Sequence, residues 1–442
     1  MTLHFTPLAI VITILATAYA AFLSQMALAV FNDGVRPFIL DFRRGELSRA
    51  KMIAIAFSLS TGFFFGFGVP IALASGVLNP WVLFLPTDVL GIFSPNKWLA
   101  LLLGALWGAI VVFGLNAATT IANSLPVNVP QAMGQMATPI LFLFAFFPAI
   151  AITMQFGRLQ GVGAFVISAF AMLITVKWLP QVFPGSMALA TGMIMLIIFA
   201  LVGEVNSKKE ARAEATSTSD ATEVSTDENE ATSLFSENAA RLRKHAPYFI
   251  IMGFLIGVLA NTHMFGGGEA TSFILAKGQY VNATQIDFYR ALGFIPLIVT
   301  TSVASGAFQI VGFMLTCPIA YLLPNPILAG IVGSVLFGIE VLVLIYVVRG
   351  LSALRILSDV SDNIRYAINL TLEVAILFGS ITAGNAMASG VGIALVGGIY
   401  ILNEVSGRPV VRMAAGPMGV ILSGIFLNVF AYIHLFTPIT IK

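Results

Sequence analysis

Long apolar stretches recur along the chain and are separated by short polar breaks. Many reach about 18 to 25 residues, the length that an α-helix needs to cross a bilayer. Seven precede one long polar break and seven follow it, at residues 7–30, 52–75, 77–93, 98–122, 136–157, 159–179 and 186–203, then at 247–264, 288–304, 305–323, 325–349, 367–386, 388–403 and 411–435. Because 77–93 is short and 288–323 can be divided differently, the pattern predicts about 12–14 transmembrane helices.

The composition supports a membrane protein. Of 442 residues, 58% are hydrophobic and 10% are charged, and the mean hydropathy is +0.96. Soluble domains carry about 25% charged residues, so a soluble fold of this composition would expose large apolar patches. We therefore expect an all-α, polytopic transmembrane bundle in a lipid bilayer. The only cysteine, Cys317, excludes an intrachain disulfide, and no Cys/His cluster is present, so we expect no metal and no cofactor.

The long polar break divides the chain into two halves. Residues 206–238 are rich in Ser, Thr, Glu and Ala and contain one aromatic residue, Phe235. Such a segment buries too little apolar surface to offset the entropy of ordering it. The sequence predicts membrane halves at 1–205 and 247–442, joined by a mostly disordered linker at 206–246.

Basic residues indicate the orientation of the helices, because cytoplasmic loops are enriched in Lys and Arg. They cluster after the first apolar stretch, in the linker, and in two short loops that contain Arg349 with Arg355 and Arg408 with Arg412. All four regions lie in the cytoplasm if 77–93 crosses the membrane. The two halves would then have opposite orientations, as in transporters with inverted repeats and broken helices. The similar stretches 66–92 and 312–339 run the same way in this arrangement, so a repeat stays unproven.

Two acidic residues lie inside apolar stretches. Glu340 is the single charge in the middle of 325–349, and Asp88 follows Pro86, which interrupts helical hydrogen bonding. A charge at the bilayer centre costs about 2.5–3.5 kcal/mol on insertion scales, so such residues face a protein interior or a wet cavity. Either a functional site or a structural carboxylate bonded to a neighbouring helix explains both acids.

A polar stripe starts the apolar stretch at 367–386. Asp362, Arg365, Asn369 and Glu373 follow one another at steps of three, four and four residues, which places them on one face of a helix. Asn363 lies beside the stripe. The stripe favours a path for a solute or ion, and the alternative is an arginine that extends to the interface near local ion pairs.

Two similar turns carry further polar residues. The segment ILNEVSGRPV contains Asn403, Glu404 and Arg408, and FNDGVRPF (31–38) follows the first apolar stretch. Both turns resemble polar hinges at the cytoplasmic interface, and each is either an ordinary helix-ending loop or a gate or site. Arg290, at the start of RALGFIPLIV, is either an interfacial anchor or the partner of an acidic group or anionic solute.

The sequence excludes several classes of enzyme. GGGE (266–269) lacks the Lys-Ser/Thr of a phosphate-binding loop, so the chain does not match an ATPase. No GxSxG or HExxH motif is present, and the short basic loops have no soluble domain with which to bind nucleic acid. We expect a protein that is not an enzyme and has no nucleic-acid partner.

Taken together, FNDGVRP, FLPTDVLG, RALGFIPL, SDNIRYAIN and LNEVSGRPV make the chain resemble the YhfT family of uncharacterised bacterial inner-membrane proteins. The resemblance covers the chain apart from the linker, which is longer and more polar here. It implies a transport protein of the bacterial inner membrane but brings no substrate and no assigned site residue. The match includes the polar positions Asp88, Glu340, Glu373, Glu404, Arg408, Asn363 and Arg365.

Our leading hypothesis is a secondary transporter of a small polar solute. A solute with an anionic group is one option. The two halves would alternate access to the site, coupled to a proton or Na⁺, and a homo-oligomer stays open. Asp88, Glu340 and Glu373 would bind the coupling proton or Na⁺, or a cationic group of the solute. Desolvation favours the neutral form of a carboxylic acid, which is the property that a proton-coupled carrier needs. Asn363, Arg365 and Arg408 would contact an anionic group. The candidate binding residues are Asp88, Glu340, Asp362, Asn363, Arg365, Asn369, Glu373, Asn403, Glu404 and Arg408.

Two other hypotheses belong to different classes. The first is the permease subunit of a phosphotransferase-like uptake system, which would require soluble partner subunits. The second is a membrane-embedded enzyme, which would need a nucleophile or metal set at one depth, and the sequence displays none. A test of whether the purified protein alone binds and moves a solute separates the first of these from a carrier.

Overall fold

The chain folds into a bundle of α-helices with almost no β-structure. The computed structural model describes residues 5–180, 182–215, 236–349 and 354–439. In these ranges the only strands are β1 (Ala29–Val30) and β2 (Phe308–Gln309). Seven described helical segments are long and apolar enough to cross a membrane. The predicted all-α, multi-pass membrane bundle is therefore confirmed.

The first half contains eleven helices within its described residues. They are α1 (Pro7–Gln25), α2 (Arg36–Arg44), α3 (Arg49–Phe63), α4 (Val69–Ser75), α5 (Pro80–Phe93), α6 (Lys97–Asn123), α7 (Val129–Gly134), α8 (Ala137–Phe144), α9 (Phe147–Phe156), α10 (Arg158–Trp178) and α11 (Pro184–Ala215). A π-helical turn at Phe64–Gly68 joins α3 to α4.

The described residues of the second half form nine helices. They are α12 (Ser236–Lys244), α13 (Ala246–Asn261), α14 (Glu269–Leu275), α15 (Tyr280–Ser305), α16 (Thr316–Ala320), α17 (Pro326–Arg349), α18 (Leu354–Met387), α19 (Val391–Val405) and α20 (Arg412–Tyr432). Helices α12 and α13 meet at an angle of 62°.

The apolar stretches predicted from sequence correspond to helices with one exception. The stretch 305–323 is not a helical span but contains β2 and the short helix α16. Gly306 and Gly312 take φ angles of 64° and 60°, and these left-handed conformations end the helical geometry on both sides of β2. Helices α5 and α19 are apolar but shorter than the long spans.

The predicted linker begins and ends in helix. Helix α11 continues to Ala215, ten residues past the expected boundary at 205, and α12 occupies 236–244. Asn238 Nδ2 on α12 donates to the carbonyls of Val303 and Ala304, at 3.0 and 2.8 Å. These carbonyls belong to the last turn of α15, where helices have no partner of their own, so this end of the linker is ordered as a cap for α15. The rest of the predicted linker, 216–235, lies outside the described residues.

Four non-helical breaks meet in the core of the described bundle. β1 follows α1 and pairs in parallel with β2, which follows α15, in the register Ala29–Phe308 and Val30–Gln309. Leu78, after α4, forms a parallel bridge with Phe265, after α13. The first break of each half thus pairs with the second break of the other, as expected of halves related by an internal repeat.

The similar stretches 66–92 and 312–339 do not occupy equivalent places in this pairing. The first stretch contains the break at Leu78, whereas the second begins after β2. Their likeness comes from the same local device, because in both an Asn side chain caps a helix that begins with Pro. Asn79 accepts from the Val82 N–H at 3.0 Å, and Asn325 accepts from the Leu328 N–H at 2.8 Å.

The helices form two packed groups around these breaks. In one group α1 lies along α5 and α6, and α13 lies along α16 and α17. In the other, α18 packs against α8, α9, α19 and α20. The groups meet where α15 contacts α18 and where α4 contacts α7, so the breaks lie beside the boundary between the groups.

Candidate functional site

A cavity of about 300 Å³ lies where the breaks meet. Its wall is formed by the chain after β1, by helices α3, α5 and α15, by the chain around β2 and by one face of α18. Five polar residues line it: Asn32, Asp33, Arg290, Gln309 and Asn369. Much of the remaining wall is aromatic or aliphatic. A mostly apolar cavity with a few converging polar groups is the usual form of a small-molecule site.

Asp33 supplies the carboxylate that lines this cavity. Its Oδ1 accepts hydrogen bonds from Arg36 and, at 3.2 Å, from Gln309 Nε2. Arg36 is completely buried and also donates to Thr301 Oγ1 at 2.6 Å. The carboxylate is therefore held between α2, α15 and β2, which come from both halves of the chain.

Arg290 supplies the positive charge of the wall. Its guanidinium carbon lies 5.2 Å from the ring centroid of Trp81 and 4.8 Å from that of Phe294. These contacts are within the range of cation–π interaction. Nη1 donates to the Gly267 carbonyl at 3.0 Å and lies 3.4 Å from Met314 Sδ. Arg290 thus links the Phe265 break, the chain after β2 and the aromatic wall of the cavity.

Two asparagines complete the polar lining. Asn32 accepts from the Gly34 N–H at 2.9 Å and donates to Ser60 Oγ at 3.2 Å, which fixes the FNDG turn against α3. Asn369 lies on α18, in the other helix group. The site therefore includes side chains from both groups, and a relative movement of the groups would change it.

Side chains tie the two breaks of the first half to neighbouring helices. After β1, the N–H groups of Phe31 and Asn32 donate to the Asp88 carboxylate at 2.8–2.9 Å, and Ser24 Oγ donates to it at 3.0 Å. At the second break, Asn79 Nδ2 donates to the Gly68 carbonyl at 2.9 Å. Inside α5, the carbonyl of Val82 has no helical partner because Pro86 lacks an N–H, and it accepts from Trp107 Nε1 on α6 at 3.1 Å. Backbone groups freed at a break inside a membrane need such partners, because lipid provides none.

The second half contains equivalent ties. After Phe265, the N–H of Gly267 donates to Tyr321 Oη at 2.7 Å. After β2, the N–H of Phe313 donates to Glu340 Oε2 at 2.9 Å. Asp88 and Glu340 are both buried, with exposed fractions of 0% and 2%. Asp88 and Glu340 thus accept hydrogen bonds from backbone N–H groups at breaks beside the cavity. Neither acid lines the cavity itself.

A third buried acid, Asp287, was missed in the sequence. It lies on α15, is 2% exposed, and accepts hydrogen bonds from Thr271 Oγ1 and, at 2.7 Å, from Tyr321 Oη. The sequence does contain a feature that indicates this buried acid, because Asp287 and Arg290 lie three residues apart in a largely apolar helix. Asp33 lies in the FNDGVRPF turn but was not among the predicted binding residues. Gln309 was not predicted at all, because a neutral glutamine gives no charge signal in a sequence.

Of the ten predicted binding residues, Asn369 lines the cavity in the described structure. Three others belong to a separate, partly exposed ion-pair cluster that joins α18, α19 and α20. Glu404 pairs with Arg408 and Arg412 at 3.0 Å, and Glu373 lies 3.9 Å from Arg412. The structure does not bring this cluster to the cavity wall.

The remaining predicted residues have local roles or are not described. Asn403 exchanges two hydrogen bonds with the backbone of Val410, at 2.8 and 2.9 Å, and so closes the turn between α19 and α20. Asn363 donates to Gln155 on α9. The side chains of Asp362 and Arg365 lie outside what the structure describes. In the described ranges, no group of three His, Cys, Asp or Glu residues is arranged to hold a metal ion.

Comparison with known proteins gives the family of the chain. A profile of the YhfT family, described as a protein of unknown function, matches residues 9–436. The uncharacterized protein YhfT of Escherichia coli strain K12 is 35% identical over 441 residues, which is 97% of this chain and 98% of that protein. No solved structure matches significantly. The chain therefore belongs to the YhfT family.

Proposed function

We propose that this protein is a secondary carrier for a small polar solute with an anionic group, rather than an enzyme. The solute would occupy the cavity between the breaks, with its anionic group near Arg290 and its other polar groups near Asp33, Asn32 and Gln309. The aromatic wall would pack against its apolar part. The bacterial inner membrane is the proposed location, with the linker on the cytoplasmic side.

One observation supports this proposal most strongly. The cavity brings a guanidinium, a carboxylate and three amide side chains to the place where both halves of the chain interrupt their helices. Non-helical backbone inside a membrane protein is stable where it is buried or lines a cavity, and transporters often bind solutes at such interruptions. Polar side chains on an apolar wall also suit recognition of one solute orientation.

The two helix groups offer a physical route for alternating access. Most of the polar lining lies on the chain after β1, on α15 and on β2, whereas Asn369 lies on α18 of the other group. Sliding or rocking of one group past the other would open the cavity first to one side and then to the other. A coupled proton or Na⁺ would supply the driving force.

The test is solute-dependent thermal stabilisation of the detergent-purified protein. The panel contains carboxylic acids, amino acids, sugars and sugar phosphates, with and without Na⁺ and at two pH values. Wild type is compared with Arg290→Gln and with Arg243→Gln, which removes an exposed charge on α12. We expect an anionic solute to stabilise wild type and Arg243→Gln but not Arg290→Gln.

Two results would count against this assignment. Equal stabilisation of Arg290→Gln and wild type would show that the anionic group of the solute does not bind beside Arg290 in the cavity. A panel in which no solute stabilises any form would argue against a carrier that works alone and for a partner subunit. Uptake of the identified solute into proteoliposomes then distinguishes a carrier from a binding protein.

A further inference from the structure

The hydrogen bond that Glu340 makes does not require a charged group. Glu340 on α17 ties the break at β2 four residues after Gln309, where its Oε2 accepts from the N–H of Phe313. The carbonyl oxygen of a neutral carboxylic acid or of an amide can accept the same hydrogen bond. The carboxyl group at this position therefore calls for a reason other than this tie.

Asp88 and Glu340 differ in how fully their oxygens are satisfied. Asp88 receives hydrogen bonds on both oxygens, from two backbone N–H groups and Ser24. Glu340 receives one hydrogen bond, from Phe313, on Oε2, and its Oε1 is buried with no hydrogen-bond partner. An ionised carboxylate needs several donors when it is removed from water, so Asp88 has the surroundings of an anion and Glu340 does not.

We propose that Glu340 is a proton-binding site, occupied by a proton when the protein is in the conformation described here, and that it couples proton movement to the solute cavity. The coupling role rests on the proposed carrier function, whereas the proton site itself does not. A neutral carboxylic acid keeps the acceptor for the Phe313 N–H while it removes the charge from the apolar surroundings. Asp88 is the ionised counterpart, with a structural task.

A short path joins Glu340 to the cavity. Its Oε2 holds the N–H of Phe313, and the next residue, Met314, lines the cavity and contacts Arg290 Nη1 through sulfur at 3.4 Å. Met314 has a φ angle of 66°, a conformation that non-glycine residues adopt only where the surroundings enforce it. Ionisation of Glu340 would alter the tie that fixes this turn and so shift Met314 against Arg290. Proton occupancy and solute binding would then affect each other reciprocally.

Few other titratable groups face Glu340. Helix α17 packs mainly against α13, α16 and α15. Between Ala246 and Asn261, α13 contains no charged residue. Cys317 on α16 is close enough to Glu340 for the two groups to interact electrostatically. Asp287 and Arg290 on α15 also interact electrostatically with the Cys317 thiol. Tyr321 lies between Cys317 and Asp287, to which it donates its hydroxyl proton.

The test uses infrared difference spectra of the full-length protein in lipid, recorded between acidic and alkaline buffer, with the proton as the only ligand. We expect a carbonyl band of a buried carboxylic acid that is present at acidic pH and lost at alkaline pH. The band should be absent in Glu340→Gln and present in Asp88→Asn. Labelling of glutamate carboxyl groups with ¹³C should move the band in wild type and leave it in place in Glu340→Asp.

Each contrary outcome decides against the proposal. A band that persists in Glu340→Gln, or that ¹³C-glutamate does not move, assigns the proton to another acid. A wild type without such a band at any pH has no protonated Glu340. The labelling comparison remains valid if a variant fails to fold, because it can be made on wild type alone.

The coupling role has its own readout. Once the panel described above identifies a solute, its binding to wild type should depend on pH, and this dependence should be reduced at least tenfold in Glu340→Gln. Identical pH dependence in both proteins would overturn the coupling role. If no solute is found, the infrared result still decides whether Glu340 holds a proton, so failure of the carrier function and failure of the proton site are distinguishable.

Discussion

Gln309 donates to Asp33 across 276 positions of the chain and joins the two halves at the cavity wall with a 3.2 Å hydrogen bond. The same side chain accepts from the Ile310 N–H at 2.9 Å through Oε1. Gln309 is 1% exposed, so its side chain has little access to water. The glutamine therefore fixes the carboxylate and the end of β2 together.

Replacement of Gln309 by Met preserves most of its volume but removes both hydrogen bonds. Because buried polar groups lose their partners, we expect the free energy of unfolding to fall by about 1–3 kcal/mol. Denaturant unfolding in detergent measures this loss. Gln309→Glu keeps the acceptor for Ile310 but places a second carboxylate beside Asp33, so it should destabilise the protein further. Equal stability of Gln309→Met and wild type would show that the Asp33 contact contributes little.

The two buried acids should respond differently to amide substitution. Asp88→Asn replaces one acceptor oxygen with an N–H donor that faces backbone N–H groups, so it should cost about 2–3 kcal/mol or more. Glu340→Gln keeps one oxygen, which is all that the Phe313 N–H requires, so it should cost less than about 1 kcal/mol. Thermal melting of both variants under one condition tests the order. The reverse order would mean that Glu340 is the ionised acid.

Two glycines of α6 test the contact between α1 and α6. A Cβ atom at Gly104 would lie 2.5 Å from the Thr17 carbonyl oxygen and 2.8 Å from Ala18 Cα, whereas a Cβ at Gly114 would meet nothing within 4 Å. Gly104→Leu must therefore separate the two helices. We expect it to abolish or strongly lower the yield of folded protein in size-exclusion chromatography.

Gly114→Leu is the matched control on the same helix, and it should give a normal yield and melting temperature. A similar loss in both variants would show that glycine is needed at these positions for a reason other than close packing.

Asn238 tests the docking of α12. Asn238→Leu removes both hydrogen bonds to the end of α15, so α12 should detach more often and expose residues 236–244 to protease. Limited proteolysis with mass spectrometry should detect faster cleavage in this segment. Arg243→Gln, an exposed position on the same helix, should be cut at the wild-type rate. Unchanged cleavage in Asn238→Leu would mean that other contacts of α12 are sufficient.

Much of the helical architecture follows from the sequence because its cause is local. Apolar runs of membrane length, Asn-Pro helix starts such as Asn79-Pro80, and glycines such as Gly306 determine where helices begin and end. The one apolar run that is not a helical span, 305–323, is interrupted by glycines whose left-handed conformation a hydropathy pattern does not report.

The cavity could not be predicted in the same way because it depends on which breaks pair. Nothing local to Asp33 or Gln309 indicates that they touch. The free-energy cost of burying a charge correctly identified Asp88 and Glu340 as buried acids. That cost is the same for an acid that accepts hydrogen bonds from backbone N–H groups and for one that contacts a solute, so it does not distinguish the two roles. Phe294 lies one helical turn from Arg290 on α15, but nothing local indicates that Trp81, which comes from α5 in the first half of the chain, contacts the same guanidinium.

The reciprocal pairing of the breaks also sets how the chain can be divided. Each described strand or bridge has its partner in the other half, so neither half alone can close the core or complete the cavity. A cut within 216–235 would separate no described contact, and the two pieces would still need one another. The halves behave in this respect as two subunits of an obligate heterodimer that happen to be encoded as one polypeptide.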